Sequence, residues 1–239
     1  MPVTSLTRVA RCAALFQLAT VSVQAAWDVG IAGTEACLAA VEANDLVAAQ
    51  ATCRTGSDAD LNAVDAFNLA LLMHDAAPVQ ARSLLERAAD AGLAEADHVL
   101  GNLRLDENAQ ADGIARLERA ARAGLALAQY DLATALLERG NEGDPASAAR
   151  WYGWAAAGGD EAARYNLGVL MLSGRLGASR PLWAWAWFSS IEALSGHDEV
   201  RRLARELGEQ MNAEQRAQAH DHLTAIQADP AAAAAAAAS

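Results

Sequence analysis

The sequence contains no lysine, so all 18 of its basic residues are arginine. This absence excludes enzymes that form a Schiff base on lysine, and nucleotide-binding loops that need a phosphate-binding lysine. Acidic residues outnumber arginine, and the formal net charge is −12. Because nucleic-acid binding needs a basic surface, this charge argues against a nucleic-acid partner.

Aromatic residues are scarce as well. They make up 5% of the 239 residues, whereas apolar residues make up 53%, and most of the excess is alanine. Alanine is the strongest helix former, and its short side chain lets helices approach one another closely. The composition therefore predicts an all-α fold.

The motifs of common enzyme classes are missing too. The sequence has no glycine-rich phosphate loop, no GxSxG and no HExxH. His220 and His222 suggest a metal site, but a spacing of i and i+2 places two imidazoles on opposite sides of a helix. We therefore predict no catalytic residue, no metal site and no cofactor.

The N-terminus is typical of a secretory signal peptide. Arg8 and Arg11 lie at the start of an apolar run at 12–23, and small residues follow up to Ala25. We predict cleavage after Ala25 and a mature protein in a bacterial periplasm, with an uncleaved N-terminal helix as the alternative. The run is short for a bilayer and no other stretch is longer, so we predict no transmembrane segment.

A repeated pattern runs through the middle of the chain. The strings LLERAADAG, RLERAARAG and WYGWAAAGG end at Gly92, Gly124 and Gly159, which are 32 and 35 residues apart. The strings FNLA, HVLG, YDLA and YNLG give one local sequence four times. Each unit predicts one helix, a turn, and a second helix that often starts at a proline and ends at a glycine. A period near 33 built from helix pairs is typical of a helical solenoid.

These strings resemble the Sel-one-like repeat (SLR), a relative of the tetratricopeptide repeat, over about residues 60–200. The resemblance implies a right-handed superhelical solenoid of about five antiparallel helix hairpins with a C-terminal helical cap. We expect a signal peptide at 1–25, an N-terminal hairpin at 26–58 and the repeats at 59–197. In the family the aromatic positions pack between hairpins, which implies a packing role for Phe67, His98, Tyr130, Trp151, Tyr152, Tyr165, Trp185, Trp187 and Phe188.

The C-terminal end differs in composition from the repeats. Residues 198–228 predict a polar helix pair, which suits the cap of a solenoid, and Asn212 with Gln215 resembles a capping box. The remaining residues, 229–239, read DPAAAAAAAAS. We expect this low-complexity tail to be a frayed helix or a loose end, and we assign it no role.

The stretch WAWAWF at 183–188 alternates as a β-strand does. Pro181 and the register of the repeat favour a helix instead, in which Trp183 and Trp187 share one side. Trp154 and Trp183 occupy positions where the repeat usually carries a polar residue. We therefore consider these two tryptophans candidates for partner binding, with packing between alanine-rich helices as the alternative.

Two cysteines remain after signal cleavage, Cys37 and Cys53. They lie on the two predicted helices of the N-terminal hairpin, in a compartment that is oxidising. Members of the family with disulfides inside a helix pair support a bridge between Cys37 and Cys53, and two free buried thiols are the alternative.

The analogy with solenoids favours a non-catalytic adaptor that holds a protein or peptide partner on its concave face. One alternative is a binder of cell-wall glycan that uses Trp154 and Trp183 as stacking platforms. Another is implied by disulfide-bearing relatives, which are linked to binding or hydrolysis of β-lactam or cell-wall compounds. The sequence supplies no nucleophile and base for that second alternative.

Overall fold

The computed structural model describes residues 62–75, 77–191 and 198–239, together with residues 39, 40, 43, 45, 47 and 48. Within these ranges the regular elements are eleven α-helices, which confirms the all-α prediction. The predicted signal peptide and both Cys37 and Cys53 lie outside the described residues. Signal cleavage and the disulfide therefore stay predictions.

The chain divides into two compact units between Glu107 and Asn108. The first unit contains α1 (Ala63–Met73), α2 (Pro78–Asp90) and α3 (Ala94–Asp106). Helix α1 packs on α2, and α2 packs on α3. The small alanines between the three helices let them approach closely. The largest side chains of this core come from all three helices and are Phe67, Leu85, Val99 and Leu100.

The second unit contains the other eight described helices. These are α4 (Gln110–Arg122), α5 (Ala126–Arg139), α6 (Asp144–Ala157), α7 (Glu161–Leu172), α8 (Pro181–Ser189), α9 (Asp198–Glu209), α10 (Ala213–Ala228) and α11 (Pro230–Ala237). Neighbouring helices pack in chain order from α4 to α9, as stacked hairpins do. The chain then turns back, so that α10 packs on α8 and α11 packs on α6.

Glycines lie at the C-terminal ends of α2, α4 and α6, where the repeat pattern predicts them. Gly92, Gly124 and Gly159 have φ values of 91°, 93° and 92°, in the left-handed region that favours glycine. Each backbone N–H bonds a carbonyl of the last helical turn, for example Gly92 N to Ala89 O at 2.9 Å. These turns let the next helix start at once in the opposite direction.

The turn between α5 and α6 combines a left-handed glycine, Gly140 at φ 77°, with an ion pair. Arg139 donates from Nε to Asp144 Oδ2 at 2.9 Å and from Nη2 to Oδ1 at 2.5 Å. The backbone N–H of Asn141 donates to Asp144 Oδ2 at 2.8 Å. These charge-assisted bonds hold the pKa of Asp144 below its usual value, with the Arg139 hydrogen bond as the largest cause.

The WAWAWF stretch lies in helix α8, so its alternation does not indicate a strand. Trp187 and Phe188 are fully buried. Helix α7 approaches this ring closely, because a Cβ at Gly168 would lie 2.4 Å from Phe188 Cε1 and 2.7 Å from its Cδ1 and Cζ. The last residue of the YNLG string is therefore small because a ring occupies its side-chain space.

The alanine-rich tail differs from its prediction. Residues Pro230–Ala237 form helix α11, whose first turn is capped by Asp229, the acceptor of the Ala232 N–H at 2.9 Å. The guanidinium of Arg180 donates to the carbonyl of Ala237 near the other end. A run of alanine buries little by itself, so its place depends on a surface that α6 supplies and that local sequence does not reveal.

The capping box predicted at the start of α10 is confirmed. Gln215 N–H donates to Asn212 Oδ1 at 2.9 Å, and Asn212 N–H donates to Gln215 Oε1 at 3.0 Å. Helix α10 is polar over most of its surface, and Ala219 and Ile226 are its buried residues.

Candidate functional site

Four polar side chains meet where α5, α6 and α7 pack together. Thr134 Oγ1 lies 2.8 Å from the hydroxyl of Tyr152, and Asn166 Nδ2 donates to the hydroxyls of Tyr130 at 3.0 Å and Tyr152 at 3.3 Å. The rings of Tyr130 and Tyr152 meet edge to face, with centroids 5.4 Å apart. We call these four residues the tyrosine–asparagine cluster.

A count of protons shows which groups of this cluster remain available. Thr134 Oγ1 lies within hydrogen-bond distance of the Tyr130 backbone carbonyl, at 3.1 Å, and of the Tyr152 hydroxyl, at 2.8 Å, and either hydroxyl can be the donor in the second bond. Asn166 uses its amide N–H groups on both tyrosines. Among the described residues Asn166 Oδ1 accepts no hydrogen bond, and the Tyr130 hydroxyl has Thr134 as a second hydrogen-bonding neighbour.

These two groups belong to residues that are only partly buried. Tyr130 and Asn166 are both half-buried, and Asn166 Oδ1 is not among the buried polar atoms that lack a partner. Tyr152 is fully buried. The Tyr130 hydroxyl and Asn166 Oδ1 are therefore the groups of the cluster that lie on partly buried residues of α5 and α7 and are joined by the Asn166 amide.

The electrostatic surroundings keep both tyrosines neutral. Burial is the largest cause that raises the pKa of Tyr152, and it also raises the pKa of Tyr130. The nearby carboxylates of Asp160 and Asp131 raise the pKa of Tyr130 further. The tyrosine hydroxyls therefore remain donors at any physiological pH, and their surroundings are acidic.

Trp183, one of the two candidates for partner binding, already has a partner inside the chain. Its ring stacks on the imidazole of His222 in α10, with centroids 3.9 Å apart and planes 10° from parallel. Trp185 meets His220 edge to face at 4.9 Å. Two tryptophan–histidine pairs thus join α8 to α10, and burial lowers the pKa of His222.

Trp154, the other candidate, lies on the surface. Its side chain is 57% exposed on α6, where Gly153 beside it faces α11. Large apolar side chains are rarely this open in the described structure. Trp154 therefore stays available for binding, whereas His222 covers one face of Trp183.

The residues with a predicted packing role divide into two groups. Five are buried: Phe67, His98, Tyr152, Trp187 and Phe188. Four are half-buried: Tyr130, Trp151, Tyr165 and Trp185. His98 Nε2 lies 3.2 Å from Asn102 Nδ2, one helical turn along α3.

Sequence reasoning missed Thr134 and Asn166. Asn166 is the second letter of YNLG, so the repeat does mark its position, but the string does not show that the amide reaches two tyrosines on other helices. Thr134 has no motif at all. Its role depends on how α5 packs against α6, which only the tertiary structure shows.

The described residues contain neither a candidate metal site nor a candidate membrane span. No group of three or more histidine, cysteine, aspartate or glutamate side chains is placed to hold a metal ion. In the same part of the chain no helix combines the length and the apolar character that a membrane span needs.

Comparison with known proteins places the fold. No family model matches the sequence, and no curated protein matches it. Among solved structures the chain is similar to c5321, a protective antigen present in uropathogenic Escherichia coli strains, whose crystal structure displays an SLR fold. The TM-score is 0.61 at 25% sequence identity, over 94% of this chain and 47% of the other.

The chain is therefore an all-α helical repeat protein with the SLR fold, which confirms the resemblance seen in the sequence. It spans about half the length of c5321, the structure it matches.

Proposed function

We propose that this chain is a periplasmic, non-catalytic scaffold that binds an extended polypeptide segment of a partner protein. The observation that carries the proposal is the surface pair formed by the Tyr130 hydroxyl and Asn166 Oδ1. A donor and an acceptor held side by side match the C=O and N–H of one residue in an extended segment, because these two groups point to the same side of the chain. The supporting Tyr152 and Thr134 fix the pair before a ligand arrives, which reduces the entropy lost on binding.

Charge favours a basic segment. The chain carries a net charge of −12, and Asp131 and Asp160 lie near the Tyr130 hydroxyl. A ligand segment with arginine or lysine next to the bonded peptide group gains attraction from both carboxylates. Binding should weaken as salt rises, because exposed charges are screened over about 10 Å at 0.1 M ionic strength.

The same cluster supports a non-catalytic role. A tyrosine that works as a base or nucleophile near neutral pH needs a lowered pKa, and burial raises the pKa of both tyrosines here.

The periplasmic part of the proposal rests on residues 1–25. Fractionation of expressing cells should recover a periplasmic protein whose N-terminal sequence starts at Ala26, and recovery of an intact N-terminus from the cytoplasm would overturn it.

Capture from periplasmic extract tests the binding surface. Wild-type protein is compared with a Tyr130→Phe/Asn166→Leu variant, which removes the free donor and acceptor. A Tyr165→Phe/Asn141→Leu variant is the matched control, because it makes the same chemical changes outside the cluster. Two lost hydrogen bonds should weaken capture of any specific partner about tenfold.

Circular dichroism melting of all three proteins separates loss of binding from loss of fold. Equal capture by wild type and the cluster variant would overturn the peptide site. Capture lost equally in both variants would show that it does not depend on the cluster.

A second candidate function is supported by the exposure of Trp154. An indole that is 57% exposed can stack on the apolar face of a sugar ring, as the glycan hypothesis requires. Soluble peptidoglycan fragments should then quench tryptophan fluorescence in wild type and not in Trp154→Ala. Quenching that persists in Trp154→Ala, or its absence in wild type, would exclude this candidate.

A further inference from the structure

The exposed large apolar side chains of the second unit flank a single helix contact. In the described part of this unit they are Leu127 and Trp154, which are 39% and 57% exposed. Gly158 follows Trp154 by one turn, and a Cβ at Gly158 would lie 3.2 Å from Ala126 Cβ at the start of α5. Leu127 is the next residue of α5. The two exposed side chains therefore lie on neighbouring helices beside the same contact.

The indole of Trp154 has no long side chain after it along α6. Ala157, Gly158 and Gly159 follow at the end of the helix, and all three are exposed. Helical side chains lean towards the N-terminus of their helix, so a side chain at position 158 would extend over the turn that carries Trp154. Because this residue is glycine, the ring is left uncovered from that direction.

Arg150 lies on the other side of the indole, one turn before Trp154. Residues at i and i+4 are neighbours on a helix surface, with Cβ atoms roughly 5–6 Å apart. Arg150 is exposed, and its Nη2 lies 3.4 Å from Ser147 Oγ. No described carboxylate pairs with it, whereas Arg122 and Arg139 on α4 and α5 each bond one. The Arg150 guanidinium therefore keeps donors for an anion beside the exposed ring.

We propose that Arg150 and Trp154 form a binding site for an acidic saccharide. The apolar C–H face of one sugar ring stacks on the indole, and a carboxylate of that sugar or of its neighbour pairs with the guanidinium. The exposed Leu127 borders the ring on the α5 side. This site rests on the glycan-binding candidate of the proposed function and specifies the chemical class of its ligand.

The chemistry of the two side chains favours a saccharide over other anions. The face of an aromatic ring carries negative charge, so it attracts the weakly positive C–H groups of a sugar. One arginine matches one carboxylate through its forked donors. A nucleic acid needs many basic contacts, which a chain with a net charge of −12 does not offer. Muramic acid, with its lactyl carboxylate, and uronic acids both combine a sugar ring with a carboxylate.

Calorimetric titration of the full-length protein with three sugar fragments tests the site. The fragments are a cell-wall tetrasaccharide with lactyl carboxylates and no peptide, a uronic-acid tetrasaccharide, and a neutral N-acetylglucosamine tetramer. The preferred acidic fragment should bind about fivefold more tightly than the neutral one at low salt. Its affinity alone should weaken as salt rises, because screening acts on the ion pair and not on stacking. The tighter acidic fragment identifies which of the two sugar acids is the ligand.

Variants separate the roles of the two side chains. Arg150→Gln should weaken binding of the acidic fragment about fivefold and leave the neutral fragment unchanged, whereas Arg150→Lys should retain part of the difference. Trp154→Ala should weaken both fragments at least about tenfold. Arg216→Gln is the matched control, because it removes the same charge from an exposed position on α10 and should change neither affinity. Circular dichroism melting verifies that each variant is folded.

The possible failures are distinguishable. Equal affinity for acidic and neutral fragments, or equal effects of Arg150→Gln and Arg216→Gln, would overturn the acidic-saccharide site and leave glycan stacking on Trp154 intact. Absence of binding by all three fragments would overturn both. Acidic-fragment binding that survives Trp154→Ala would place the ligand elsewhere on the protein. Tighter binding of a cell-wall stem peptide without sugar would assign Arg150 and Trp154 to peptide recognition and so contradict the proposal.

Discussion

Replacement of Gly168 by alanine should destabilise the second unit, although alanine is the better helix former. Gly168 lies inside α7, and its missing Cβ would meet three ring atoms of Phe188 at 2.4 Å, 2.7 Å and 2.7 Å. Real Cβ atoms do not approach other heavy atoms this closely, so either the ring or α7 must move. Phe188 is 1% exposed and packs on Tyr165 with centroids 5.8 Å apart, which leaves the ring little room.

Two opposing effects set the size of the loss. Overpacking of a filled core costs up to about 3 kcal/mol, and three contacts below 3 Å place Gly168→Ala near that upper end. The higher helix propensity of alanine relative to glycine offsets about 1 kcal/mol of this destabilisation. The free energy of unfolding should therefore fall by about 2 kcal/mol, which lowers the melting temperature by roughly 4–8 °C in a protein of this size.

Urea denaturation and thermal melting followed by circular dichroism measure this effect. Gly208→Ala in α9 is the matched control, since its new Cβ would lie 3.2 Å from the Trp185 Nε1 and no closer to anything else. It should change stability by less than half as much. If Gly168→Ala is as stable as wild type, the close approach of α7 to Phe188 is refuted.

A double-mutant cycle assigns the loss to the ring. Phe188→Leu alone should destabilise the protein by leaving a cavity. In that background Gly168→Ala should cost less than it does in wild type, because the ring it meets is gone. Strictly additive losses would show that the alanine disturbs something other than Phe188.

Three further predictions concern buried or paired groups. The pKa of His222 is lower in the folded protein than its ordinary 6.5, so the unfolded chain binds the proton first as pH falls. The free energy of unfolding should therefore decrease below about pH 6.5. Urea unfolding at pH 7.5 and pH 5 should show this decrease in wild type and a much smaller one in His222→Gln, and an equal decrease in both would contradict the prediction. Trp183→Ala exposes the same imidazole and should reduce the effect as well. The hydrogen bond from Arg139 lowers the pKa of Asp144, so the ionised carboxylate stabilises the fold fully above pH 3.8 and less as pH falls through the lower pKa of the folded state. The difference in free energy of unfolding between wild type and Asp144→Asn should be present at pH 7 and shrink towards pH 3. A difference that stays constant would refute the ionic origin. Tyr152→Phe should lose about 1–2 kcal/mol in urea unfolding, because it removes the hydrogen bonds of the Tyr152 hydroxyl with Thr134 and Asn166, and a neutral result would mean that the hydroxyl is not bonded as described.

The repeat predicted the helices well because the signals that form them are local. Alanine content, apolar spacing of three and four, and Pro78, Asn212 and Gly159 at helix ends all act within one or two turns of chain. The same local signals explain why WAWAWF is a helix despite its alternation, since Pro181 and the repeat register both act over a few residues.

Local sequence signals did not predict which side chains contact one another in the candidate sites. The sequence indicates Trp183 as a candidate for partner binding. Its stacking partner, His222, lies on α10, a helix beyond the predicted repeats. His220 and His222, the two histidines whose order along the chain suggests a metal site, each contact a tryptophan of α8. Such pairings depend on how helices cross, which no spacing along one helix expresses.

The sequence by itself determined that this protein is a stack of helix pairs turned at glycines, because those preferences belong to short stretches of chain. The tertiary structure alone decided where the alanine-rich tail goes and which polar groups reach the surface. An alanine side chain offers only its small size for specific packing, so α11 packs on α6 at this position because Gly153 has no side chain there. In the same way the donor of Tyr130 and the acceptor of Asn166 become a pair only when α5 and α7 bring them together.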